Sequence, residues 1–121
     1  MTDSVKSYRD LIVWQKGIDL VQEVYKLTRQ FPQYEVYALA SQLQRSAVSI
    51  PSNIAEGQAR QHTSEFRQFL YMALGSAAEV DTQIVIAHRL GYITQTEAAD
   101  ISARVVEIQK MIHSLATKLP A

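Results

Sequence analysis

The sequence predicts an all-α fold, an antiparallel up-down-up-down four-helix bundle with a proline-kinked second helix, and three observations carry that prediction. Apolar residues recur at three- and four-residue spacing along the chain, with no strand-like alternation. Only three prolines and four glycines interrupt the pattern, and they fall mainly where helices should end. The 121 residues are the size of one ordinary domain, and 47% hydrophobic against 20% charged supplies both a continuous core and a soluble surface. The chain reads as a single domain over residues 1–121, with helices at about 8–30, 35–60, 64–90 and 95–118.

The first helix is expected to begin near Ser7, with Asp10 three residues later as a short form of the capping box, and to end at Phe31-Pro32. It carries two apolar stripes. Leu11, Trp14, Ile18, Val21 and Tyr25 form one; Val13, Gly17, Leu20, Val24 and Leu27 form another, roughly 120° away at 100° per residue. One stripe suffices for a bundle, so two imply a helix covered on two sides. The second helix has the core stripe Leu39, Leu43, Ala47, Ile50 and Ile54. Pro51 lies inside it, removes a hydrogen bond to the Ala47 carbonyl and crowds that carbonyl, so a kink is expected. Opposite the core stripe lie Val48, Ala55 and Ala59 with Ser41 and Ser52, small side chains that predict a second buried face.

Thr63 or Ser64 should cap the third helix, with Glu65 in its first turn at the positive end of the helix dipole. Its core stripe is Phe66, Phe69, Leu70, Ala73, Ala77, Val80 and Ile84. Gly75 sits mid-helix on the far side, where it predicts close backbone contact, and Leu90-Gly91-Tyr92 reads as a glycine cap followed by a hydrophobic residue. Thr94-Gln95-Thr96-Glu97 is a capping box that opens the fourth helix. The stripe of Ala98, Ile101, Val105, Ile108, Ile112, Leu115 and Leu119 is narrow, so this helix is expected to be the most solvent-facing.

Charge bounds the function. Lys and Arg number 12 and Asp and Glu 12, for zero net charge, where nucleic-acid binders usually show a basic excess. No part of the chain escapes this balance: residues 36–62 hold two arginines against one glutamate, and 63–91 two arginines against three acids. Without cysteine neither a disulfide framework nor a thiolate metal site can form. The polar start Met1-Thr2-Asp3-Ser4 and the lack of a long apolar run read as cytoplasmic, with no membrane partner. His62, His88 and His113 are isolated, and His62-x-x-Glu65 would straddle a helix start, so neither a metal nor another cofactor is expected. No serine occupies a nucleophile elbow and no glycine loop cradles phosphate, so the chain does not read as an enzyme. Trp14, Tyr25, Phe66 and Phe69 stand at helical spacing and read as core packing.

The stretch from Gln42 to Gly57, QLQRSAVSIPSNIAEG, resembles the signature of the four-helix-bundle proteins named for intervening sequences of 23S ribosomal RNA genes, the S23 family. The likeness extends to Asp10–Lys16, Phe31-Pro32, Glu65-Phe66, Gly75–Glu79 and Leu90–Tyr92. The resemblance implies a bundle that assembles into a ring-like homopentamer, of undefined biochemical role. The chain is also similar to accessory variability proteins of diversity-generating retroelements, which partner a reverse transcriptase and nucleic acid. Those relatives are basic and this chain is neutral.

Arg45, Ser49, Asn53, Glu56 and Arg60 fall within about 80° of one another on the second helix and make one polar ribbon. It reads either as a site for a peptide, nucleotide or partner helix, with the arginines as bidentate donors, or as a structural hydrogen-bond network at a subunit contact or at the freed Ala47 carbonyl. The expected function is a non-enzymatic homo-oligomeric scaffold or adaptor whose partner is itself and a further protein. The alternative is a nucleic-acid-binding accessory of a reverse transcriptase, which would need five subunits to align Arg45, Arg60, Arg67 and Arg89 on a common surface.

Overall fold

A computed structural model of the chain describes residues 7–120, so the polar start Met1–Ser4 lies outside the described residues. Ser7 and Asp10 form the reciprocal cap expected of them: the Ser7 hydroxyl accepts from the Arg9 N–H at 3.1 Å and the Asp10 carboxylate from the Ser7 N–H at 3.2 Å. What they cap is a single 3₁₀ turn, Tyr8–Asp10. Leu11 is extended (φ −75°, ψ 123°), and helix α1 (Ile12–Thr28) starts after it. The expected continuous helix from residue 8 is therefore broken at Leu11. The bend folds the turn back so that the Tyr8 ring meets Trp14, centroids 5.4 Å apart.

A similar correction applies to α2 (Leu39–Ala59), which was expected from about residue 35. Residues Gln33–Glu35 form another 3₁₀ turn, and the Glu35 carboxylate accepts from the Leu39 N–H at 3.2 Å, marking the helix start from outside it. From there α2 continues through Pro51 to Ala59. In α3 (Thr63–Arg89) the N-cap position belongs to His62, without a side-chain cap bond, so Thr63 is already helical. The other end of α3 closes by the Schellman pattern: Gly91 at φ 80°, its N–H on the His88 carbonyl at 3.0 Å, and the Tyr92 N–H on the Ala87 carbonyl at 2.9 Å. Helix α4 (Gln95–Lys118) opens on the Thr94–Glu97 capping box, both hydrogen bonds present at 3.1 and 2.8 Å.

The helices close a ring of neighbours, since α1 and α3 each pack on both α2 and α4 and lie diagonally opposite one another across the core. Between them runs one core, which includes Leu20 and Val24 of α1, Leu43, Ile50 and Ile54 of α2, Leu70, Val80 and Ile84 of α3, and Val105, Ile108 and Ile112 of α4. At each of these sites the side chain is removed from water, worth roughly 1.5–3 kcal/mol for a residue of this size. Two glycines set how closely the helices approach. A Cβ on Gly17 would sit 3.3 Å from the Pro51 Cβ, and a Cβ on Gly57 only 2.6 Å from the Phe69 Cβ. Gly75 is different. A Cβ there would meet nothing within 4 Å, so the close contact expected at this glycine is not made inside the chain.

One end of the bundle is tied across by polar groups. The Gln30 amide donates to Glu97 at 2.7 Å, and the Tyr92 hydroxyl donates to Glu35 at 2.8 Å and lies 3.3 Å from the Tyr34 hydroxyl. Those bonds, to Tyr34 first and Glu35 second, hold the Tyr92 hydroxyl protonated well above the usual phenol range. Among the described residues no helix is long and apolar enough to cross a membrane.

Candidate interaction surface

The polar ribbon of α2 divides into two parts. Asn53 donates its side-chain amide to the Ser49 carbonyl at 2.9 Å, a bond within the helix that leaves the Ala47 carbonyl unserved by it. One turn on, Arg60 pairs with Glu56 at 2.8 Å, approaches Glu65 at 3.8 Å, and lies over the Phe69 ring at 5.0 Å from its centroid. These contacts join the end of α2 to the start of α3. Both ion pairs are solvent-exposed, where such pairs contribute about 0–1 kcal/mol. Arg45, at the other end of the ribbon, is exposed and forms no ion pair among the described residues. The structure thus brings Glu56 and Arg60 together, sets Asn53 on Ser49, and leaves Arg45 apart.

Arg45 instead borders a groove between α1 and α2. The core takes the second stripe of α1, with Val13, Gly17, Leu20, Val24 and Leu27 all buried. Its first stripe was expected to be covered too, and within one chain it is covered only in part: Leu11, Trp14 and Val21 pack half-buried against the core, whereas Ile18 is 36% and Tyr25 42% exposed. Across from them α2 presents Val48, 39% exposed, and Ala55. Tyr8 and Pro51 complete the lining toward the start of α1, while Tyr25, Ser41 and Arg45 continue it toward the far end. The helices are joined beneath by the Gln44 amide, which donates to the Thr28 hydroxyl at 3.0 Å.

Tyr8 and Pro51 were not identified as groove residues from the sequence. Tyr8 reaches the groove through the bend at Leu11, which leaves no periodic signal. Pro51 was read for its missing N–H, whereas its buried ring is what meets Gly17.

Metal and catalytic geometry can be read the same way. Among the described residues no three of His, Asp and Glu gather where an ion would sit. His62 is exposed, and Glu65 faces Arg60. The grooves that hold Ser41 and Ser49, Ser52, and Ser114 are lined without histidine, so none pairs a hydroxyl with an imidazole base.

A known family matches most of the chain. The family model described as 23S rRNA-intervening sequence protein matches residues 9–114, from the first turn to the last third of α4. The chain belongs to this family. Its fold matches the crystal structure of a protein of unknown function from the S23 ribosomal protein family of Bacteroides thetaiotaomicron, with a TM-score of 0.82 and 25% sequence identity, covering 88% of this chain and 100% of that one. A comparison with curated proteins gives no match. The residues shared with the 23S rRNA-intervening sequence model include both helices of the groove and the entire ribbon.

Proposed function

We propose that this chain is a non-enzymatic, self-associating scaffold or adaptor of the cytoplasm, assembled as a ring of copies, five on the strength of the family resemblance. The observation that carries the reading is the half-covered apolar stripe of α1, with Ile18 and Tyr25 exposed beside Val48 of α2. A helix that buries one stripe in its own core and shows a second along an open groove presents the pattern of a protein–protein contact, because contiguous exposed apolar surface is what monomers avoid. Zero net charge suits the same role, since identical neutral chains do not repel each other on approach.

Sedimentation equilibrium at low and high salt, with and without a structured RNA, tests it. The expected result is a mass near five times 13.6 kDa that RNA leaves unchanged. A monomer at micromolar concentration would sink the reading. A gain in mass with RNA that weakens as salt rises would replace it with the nucleic-acid accessory, because counterion release makes such binding fall steeply with salt.

A further inference from the structure

The side of α3 turned away from the core carries Tyr71, Met72, Gly75, Ala78, Val85 and Ile86, and its four large members are 53%, 49%, 43% and 41% exposed. Helix α3 lies diagonal to α1, so this face and the α1/α2 groove are different surfaces of the same chain. Near the middle of the face stands Gly75, with open space where its side chain would be. A glycine in an exposed helix interior is destabilising compared with alanine, and no contact within the chain requires it.

We propose that the outer face of α3 of one copy docks into the α1/α2 groove of the next, with Gly75 as the point of closest backbone approach. This rests on the self-association reading and specifies its interface. Three features point to a second copy as the occupant. The two surfaces are unlike: one is a groove walled by Trp14, Tyr25 and Val48, the other a single helix face notched at Gly75. Arg45 beside the groove and Glu79 at the edge of the α3 face can pair across such a contact, since among the described residues neither forms an ion pair, while Arg89 stands apart at the last turn of α3. Finally, because the surfaces differ, only a head-to-tail contact covers both on every copy; a two-fold contact through one of them would leave the other open.

The test uses a substitution whose two consequences have opposite signs. Gly75→Gln adds a good helix former at an open position, so the dissociated chain should melt at a higher temperature, while the bulk blocks docking and weakens association at least about tenfold. Arg45→Glu and Glu79→Arg should each weaken association about tenfold, and the double variant that carries both on one chain should recover it, because every groove–face contact is then matched. Circular dichroism melts and sedimentation velocity on the same samples read both effects. If the unaltered chain associates but Gly75→Gln raises the melting temperature and leaves the mass unchanged, the interface is elsewhere and this inference fails while self-association stands. If the unaltered chain is a monomer, both fail.

Discussion

A methyl group on Gly57 would lie 2.6 Å from the Phe69 Cβ and 3.0 Å from Phe66 Cδ1, closer than carbon atoms approach without displacement. The same methyl on Gly75 meets nothing. The two glycines therefore separate packing from backbone entropy. Gly57→Ala is expected to destabilise the chain by about 1–3 kcal/mol, because Phe69 is held by its backbone and α2 must move from α3. In the dissociated chain Gly75→Ala is expected to stabilise by about 0.5–1 kcal/mol, through a less disordered unfolded chain and a better helix former. Urea unfolding of both variants, at a protein concentration low enough to leave the chains dissociated, checks the signs. Two small negative results would mean that the α2–α3 approach is looser than these distances require.

Among the elements, the start of α4 is the most fully specified from local chemistry. Thr94 and Glu97 exchange hydrogen bonds, and Gln30 reaches across from the end of α1 to the same carboxylate. Thr94→Ala should cost about 1 kcal/mol, measured by thermal or urea unfolding. The Glu97 carboxyl is held below its ordinary value, first by the Thr94 backbone N–H and then by the Gln30 amide. A depressed folded-state pKa stabilises the fold fully above the unfolded value near 4.5 and ceases to do so as pH falls through the folded one. Glu97→Gln keeps a side chain that can still complete the box, yet cannot titrate. The stability lost between about pH 6 and about pH 3 should accordingly be smaller in Glu97→Gln than in the unaltered chain, and equal losses would exclude Glu97 as a source of acid sensitivity.

For the whole molecule, covering the exposed α1 stripe by a second copy, as proposed, would make stability and assembly one problem. Association that covers folded chains and not unfolded ones raises the melting temperature with protein concentration. The melting temperature should rise measurably across the micromolar range, and the rise should persist in about 0.5 M salt, because apolar burial is not screened as surface charges are. A melting temperature independent of concentration would count against any folded-state assembly. The groove, the α3 face and the two ends of the ribbon then have separate tasks. Arg60 joins α2 to α3 within a chain, whereas Arg45 is left available to another.

By itself the sequence determined the helices, because a 3.6-residue apolar period and the caps at Thr94 and Gly91 are local facts that any folded context must respect. It also contained both stripes of α1 and the five ribbon residues, since spacing on one helix follows from geometry alone. Only the tertiary structure decided which stripe is core. Two apolar faces on one helix are equivalent until neighbours choose between them; α2 and α4 both pack on α1, and the core takes Val13, Leu20 and Val24, leaving Ile18 and Tyr25 exposed. It likewise decided that Gly17 and Gly57 are spacers and Gly75 is not, and that the Pro51 ring serves packing as well as interrupting a hydrogen bond. Those distinctions depend on what another helix places within 4 Å, a quantity that no periodicity along a single helix contains.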